Sequence, residues 1–352
     1  MHIASQNKEK QRSELSYGRK FDQSGRELRT MKSRMKTLLV AAAVIVTAGI
    51  VTESAGYAQG ASRYRIAYIA RAQGDSFAAW LANAIQAEAK KYPDVSVAVF
   101  DGQSRSDLIE SHIENAVQNK FDLVIIQPYD PAIEIDPVKR AMAQGMKFIA
   151  TNPKFSDDSV PSVDASPYQQ GAENAKLALT QIPQNARVVV LLGPAGNPHS
   201  MGRRDAWQKE FFAKRPDVKI LDEQIANWNK DEGMRLTEDW IQSHGKIDAV
   251  ISMNDNMAAG AIEAIKGSGA TTYPLIYGVD GTPEACLLIK DGKMASTTLQ
   301  NANDLAEKSM KLAHDMLTGQ ATNLHEFIQA ELITKDNVDK YIELHKQLGN
   351  IK

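Results

Sequence analysis

From Tyr64 onward the chain alternates short, continuous apolar runs with longer amphipathic stretches. The runs fall at 66–69, 95–100, 123–126, 148–150, 188–192, 220–225, 249–251, 275–279 and 295–299. Such short runs suit strands of a parallel sheet covered on both faces. The stretches between them carry helical stripes. Phe77, Leu81, Ala84, Ile85 and Ala89 share one face, and across 258–266 Ala and Ile alternate with Glu263 and Lys266. Strand–helix alternation sustained this long predicts an α/β fold with right-handed crossovers. Two blocks are visible, so the expected architecture is two doubly wound parallel-sheet lobes joined by a hinge. We assign 62–166 with 301–330 to an N-terminal lobe and 167–300 with 331–352 to a C-terminal lobe. Between the blocks, Ser162-Val163-Asp164-Ala165-Ser166-Pro167 reads as a short polar crossing suited to a hinge.

The stretch before Tyr64 has a different pattern. Lys32, Arg34 and Lys36 precede an uncharged apolar run at 38–51, and Gly56-Tyr57-Ala58 then offers small residues ahead of a cut before Gln59. That order is the order of a secretory signal peptide, assigned to 31–58. The apolar run is shorter than the roughly 20 residues of a membrane span. No Cys lies near the cut, which argues against lipid attachment there. Residues 1–30 are polar and basic and read as a non-structural extension; Met31 and Met35 are better placed than Met1 to begin the signal. The expected location is the periplasm.

Composition narrows the partners. Lys and Arg number 41 against 43 Asp and Glu, a net charge of −2, so no nucleic-acid partner is expected. The single cysteine, Cys286, cannot form an internal disulfide and sits in an apolar helical stretch, where it reads as a small buried hydrophobe. No metalloprotease, nucleophile-elbow or Walker pattern occurs, and the turn after the first strand, Arg71-Ala72-Gln73-Gly74-Asp75, lacks the glycines of a dinucleotide site. Neither an enzymatic activity nor a cofactor or metal is expected.

In open α/β sheets ligands sit beyond the carboxyl ends of the strands. Reading only those positions yields Gly74-Asp75-Ser76-Phe77, Gln127-Pro128-Tyr129-Asp130, Thr151-Asn152-Pro153 and Gly193-Pro194-Ala195-Gly196-Asn197-Pro198-His199 followed by Arg203-Arg204. Asn227-Trp228-Asn229, Asn254-Asp255-Asn256, Asp280-Gly281 and Gln300-Asn301 complete the set. Carboxylates, amides and a guanidinium read hydroxyls, and aromatic faces pack against the apolar face of a sugar or polyol. Tyr129, Asn152, Asn197 and His199 are placed by this topology alone.

From Tyr64 to about Asp336 the chain resembles the type I periplasmic sugar-binding proteins, the ribose- and galactose-binding group related to lactose-repressor cores. The segments that carry the likeness are 250–261, with Ser252-Met253-Asn254-Asp255-Asn256-Met257, then Gly278-Val279-Asp280-Gly281-Thr282-Pro283-Glu284 and Asp291-Gly292-Lys293-Met294-Ala295-Ser296-Thr297. The resemblance implies ligand contacts from Asp75 and Phe77 in the first lobe and from Arg203, Trp228, Asn254, Asp280 and Gln300 in the second. Asp75 and Asn254 also read as helix N-caps, Phe77 as helix core and Asp280 as a turn residue. Asn152-Pro153 stands where ribose- and galactose-binding relatives carry Asp-Arg, which argues against a simple ribose or galactose assignment. The implied function is capture of a sugar or polyol by hinge closure. A monomer would deliver it to an ABC permease, with a chemoreceptor as a further partner. The alternatives are a sugar-sensing regulator core of the lactose-repressor class, which would need a DNA-binding headpiece, and, less favoured, a cleft hydrolase using the site carboxylates.

Overall fold

A computed structural model describes residues 63–351. The extension expected at 1–30 and the signal peptide expected at 31–58 lie outside the described residues. The first half of the described chain runs β1 (Tyr64–Ala70), α1 (Ser76–Ala89), β2 (Val95–Asp101), α2 (Ser106–Gln118), β3 (Leu123–Ile126), α3 (Pro131–Ala143), β4 (Lys147–Thr151) and β5 (Ser162–Ala165). There follow α4 (Pro167–Gln181), β6 (Arg187–Leu192), α5 (Pro198–Glu210), β7 (Lys219–Ile225), α6 (Lys230–His244), β8 (Ala249–Ser252), α7 (Asp255–Gly267), β9 (Leu275–Asp280), α8 (Pro283–Lys290) and β10 (Ser296–Leu299). The chain closes with α9 (Ala302–Thr318), β11 (His325–Ile328), β12 (Glu331–Thr334) and α10 (Val338–Gln347).

The strands form two six-stranded sheets, ordered β11-β5-β4-β3-β1-β2 and β12-β10-β9-β8-β6-β7. Every pairing is parallel except that of β10 with β12. The chain therefore passes between the sheets three times: from β5 into α4, from β10 into α9 and from β11 to β12. Helix α9 returns to pack on α1, and α10 packs on α8.

Burial on both faces explains the unbroken apolar runs. In β1, Ile66 and Tyr68 point into the core beside Phe77, Leu81 and Ile85 of α1. Their neighbours Ala67 and Ile69 point the other way, against Ile109 and Ile113 of α2 and Val138 and Ala141 of α3. Three strands, β5, β11 and β12, fall outside the runs read from the sequence. Residues 162–165, expected as part of a polar crossing, are strand β5, buried throughout. Its polar side chains are satisfied by distant partners: Ser162 Oγ lies 3.0 Å from His325 Nδ1, and Asp164 accepts from the Lys154 N–H. Strands β11 and β12 are four-residue edge strands of mixed polarity, a common way of blunting a sheet edge.

Most helices begin within a few residues of a strand's carboxyl end, on a polar residue that accepts a backbone N–H of the first turn. Asp75 caps α1 through Ala78, Asn197 caps α5 through His199 and Ser200, Asn254 caps α7 through Met257, and Thr282 caps α8 through Ala285. Each such cap contributes about 0.5–2 kcal/mol. It also fixes where the remaining polar atom of that side chain points.

Candidate functional site

The carboxyl ends of both sheets face one another across a narrow, closed-down cleft. The first lobe supplies Arg71, just beyond β1, with Asn152 and Pro153 beyond β4. The second supplies Asn197, His199 and Arg203 from the start of α5, Trp228 beyond β7, Asn254 beyond β8, Asp280 at the end of β9 and Gln300 beyond β10.

Arg203 holds the second lobe's part of the site together. Its guanidinium donates to Gln170 Oε1 at 3.0 Å, to the Met253 carbonyl at 2.7 Å and to Gln300 Oε1 at 3.0 Å. It also approaches His199 Nδ1 at 3.3 Å and Asp280 Oδ1 at 3.8 Å. Burial pushes its pKa down to about 10, opposed chiefly by Asp280, so the group stays charged at neutral pH. Asp280 is its counterpart: burial drives the carboxyl well above the usual range while Arg203 pulls it back. Gln300 Nε2 donates to Asp280 Oδ1 at 3.2 Å, and Oδ2 has no protein partner.

Trp228 is flanked by both cations, with the Arg71 and Arg203 guanidinium carbons 5.7 and 5.6 Å from its ring centroid. Its ring fits because position 193 is glycine. A Cβ there would collide with Trp228 Cζ2 and Cη2. The backbone is held out of the ordinary region at Trp228 (φ 61°), Asn152 (φ 49°) and Asp280 (φ 130°), a concentration of strain typical of functional sites.

Direct contacts join the lobes around the cleft. His199 Nε2 lies 2.9 Å from Asp164 Oδ1, the Asn197 amide donates to the Tyr129 carbonyl at 3.2 Å, and Gln300 Nε2 donates to Asn152 Oδ1 at 3.3 Å. With Nδ1 facing the Arg203 donor, His199 carries its proton on Nε2, toward Asp164. Burial lowers its pKa despite that carboxylate. The lobes are closed on one another.

Of the residues singled out from sequence, Asn152, Asn197, His199, Arg203, Trp228, Asn254, Asp280 and Gln300 line the enclosed space. Asp75 lines an adjoining chamber and pairs with Arg71 at 2.7 Å. Tyr129 takes part through its carbonyl, not its ring. Phe77 is not brought to the lining: it lies in the core, edge-on to Trp80, on the buried stripe of α1. Two residues at the site are not reached by the sequence pattern. Arg71 is the first residue beyond β1, and the strand-end rule applied one position earlier would have found it. Asp164 sits in the segment read as a connector, and its partner is in the other lobe. Asp255 is buried beneath the site, pushed up to about 6 by burial, and accepts from Thr282 and Thr297. Among the described residues no group of His, Cys, Asp and Glu could hold a metal ion.

Five buried polar atoms of the lining lack a protein partner: Arg71 Nε, Asn152 Nδ2, Trp228 Nε1, Asn254 Nδ2 and Asp280 Oδ2. Four can only donate and one is a carboxylate oxygen. In Asn254 and Asp280 the other polar atom is already committed, to Met257 N and to Gln300. Capping and ligand recognition are thus compatible in one side chain.

A model of the periplasmic binding protein domain matches residues 66–321. Among characterised proteins the chain is similar to the xylitol-binding protein of Mycolicibacterium smegmatis, 28% identical over 235 residues that cover 66% of this chain and 67% of that protein. It is 29% identical to the ribose import binding protein of Bacillus subtilis over 241 residues, 68% of this chain and 77% of the relative. A solved ABC transporter solute binding protein from Bacillus halodurans with bound myo-inositol superposes with a TM-score of 0.73 at 27% identity, over 81% of this chain and 99% of that one.

Proposed function

The chain belongs to the periplasmic binding protein family, and from that premise we propose that its cleft captures one neutral sugar or polyol by hinge closure for an ABC permease. The observation that carries the reading is the set of unpartnered atoms around the enclosed space. A buried polar atom left unpaired costs about 1–3 kcal/mol. A hydroxyl both donates and accepts, so adjacent hydroxyls answer the Asp280 oxygen and the surrounding N–H groups together. Two guanidiniums, Arg71 and Arg203, face three carboxylates, Asp75, Asp164 and Asp280, which leaves no surplus positive charge for an anionic ligand. Relatives named for ribose and xylitol, and one holding myo-inositol, support the same class.

In this reading 62–166 with 301–330 and 167–300 with 331–352 are the two moving bodies, and the three crossings form the hinge. The protein acts as a monomer and binds without turnover. It is exported by the signal at 31–58, so mature protein begins near Gln59. A chemoreceptor recognises the closed form alongside the permease. The test is a thermal-shift panel of myo-inositol, D-ribose, D-allose and xylitol. A binder at a hundred times its Kd adds about 2.7 kcal/mol and raises Tm. No shift with any neutral sugar or polyol, together with a shift from an organic anion, would overturn the assignment.

A further inference from the structure

Beside the inner space lies a second, open-mouthed chamber of about 380 Å³, bordered by the Arg71 and Trp228 side chains that line both. Its first-lobe wall carries Asp75, Asp101, Gln103 and Ser104, and its second-lobe wall Asn227 and Asn229. These are carboxylate, amide and hydroxyl groups, the chemistry that recognises a neutral polyhydroxylated molecule.

Three observations distinguish this chamber from an incidental gap. First, Asp75 is 6% exposed and its Oδ2 has no protein partner. Oδ1 is engaged by Arg71 and by the Ala78 N–H. Asp75 does not line the inner space, so a ligand confined there leaves that oxygen unanswered. Second, four of the eight non-glycine residues with positive φ among the described residues line the chamber: Gln103 (51°), Ser104 (56°), Asn227 (50°) and Trp228 (61°). Such strain persists only where the surroundings impose it. Third, those surroundings are present. Asp101 Oδ1 accepts from the Gln73 and Gln103 N–H groups, and Ser104 N donates to the Arg71 carbonyl at 2.8 Å. Across the chamber, Asn256 Nδ2 holds the Trp228 carbonyl and Asn227 Nδ2 holds Glu232, each at 2.8 Å. Both walls are preorganised.

We propose that this chamber is a second ligand subsite that takes a neutral, hydroxyl-bearing substituent joined to the unit held in the inner space, so that the ligand is an O-substituted sugar or polyol such as a glycoside. The proposal rests on the sugar-or-polyol reading above. The Arg71 and Trp228 side chains line both compartments. Between them lies the Arg71 guanidinium, over Trp228 and paired with Asp75, and that side chain must move aside for the linking oxygen.

Gly74 provides the test. It lines the chamber, its backbone is outside the positive-φ region, and a Cβ there meets no atom within 4 Å. Gly74→Trp therefore adds a large side chain to the wall of the outer chamber at a position that does not line the inner one, and Gly74→Ala is its mild counterpart. Calorimetry compares the panel member that binds with its methyl, glucosyl and galactosyl O-glycosides. At least one glycoside binds the wild type as tightly as the parent. Gly74→Trp weakens that glycoside by about 30-fold or more and the parent by less than about threefold, while Gly74→Ala changes neither by more than about threefold. If the parent binds and every glycoside is rejected, or if Gly74→Trp in folded protein weakens parent and glycoside alike, the subsite is refuted while the binding function stands. If no neutral sugar or polyol binds while an organic anion does, the function itself fails and the subsite with it.

Discussion

Replacing Asp280 by Asn isolates the contribution of one acceptor. Asp280 sits at φ 130°, a conformation that L-residues rarely adopt, and Asn tolerates unusual backbone better than Ala does. The native carboxylate uses Oδ1 to accept from Gln300 Nε2, while Oδ2 is unpartnered in the cleft. In Asp280→Asn the amide oxygen keeps the Gln300 bond, which turns the NH2 group inward. There it joins Arg71 Nε, Asn152 Nδ2, Trp228 Nε1 and Asn254 Nδ2, all donors. A ligand hydroxyl that donated to Oδ2 then loses its acceptor and meets a donor instead, leaving two buried polar groups unpaired at about 1–3 kcal/mol each. The expected total is about 2–4 kcal/mol, or roughly 30- to 1,000-fold in Kd by isothermal titration. Arg203 keeps its bonds to Gln170, Met253 and Gln300, so the variant stays folded, as circular dichroism and Tm would verify. Folded Asp280→Asn binding within threefold of wild type would refute the reasoning.

Other substitutions probe the frame. Gly193→Ala places a methyl where the Trp228 ring lies; we expect about 1–3 kcal/mol of overpacking, read by denaturant melts, with a changed near-UV spectrum. Trp228→Ala should cost about 1–3 kcal/mol of binding by calorimetry. The His199–Asp164 contact should give a pH signature. His199 has a lowered pKa in the folded protein, so its contribution is complete above its ordinary value near 6.5 and is lost as pH falls below it. Between pH 7 and 5, wild type should therefore lose stability relative to His199→Gln, with a slope of up to about 1.4 kcal/mol per pH unit. Parallel pH profiles would contradict that assignment.

Much of the fold is legible because both faces of the central strands are buried. Ile66 and Tyr68 serve one layer and Ala67 and Ile69 the other, so the apolar run is unbroken. Strand β5 escapes the same reading because Ser162 and Asp164 are satisfied by His325, Lys154 and His199, partners that the local pattern does not contain. Strands β11 and β12 escape it as short edges. At the site, the strand-end rule reaches the polar residues of the lining because helices start there on capping side chains. It does not say which polar atom a cap leaves over. Phe77 illustrates the opposite limit, since a helix's first turn can face core or cleft and here the core stripe prevails. Asp164 illustrates another: its role exists only when the two lobes meet.

The central claim is that the cleft grips a neutral hydroxylated molecule through Asp280 and its surrounding donors. A crystal structure with the ligand found in the panel tests this most directly. The account predicts a ring or polyol chain between the lobes, one hydroxyl within hydrogen-bonding distance of both Asp280 Oδ2 and Asn254 Nδ2, and an apolar face against Trp228. Ligand bound elsewhere, or in the cleft without any contact to Asp280, would contradict it.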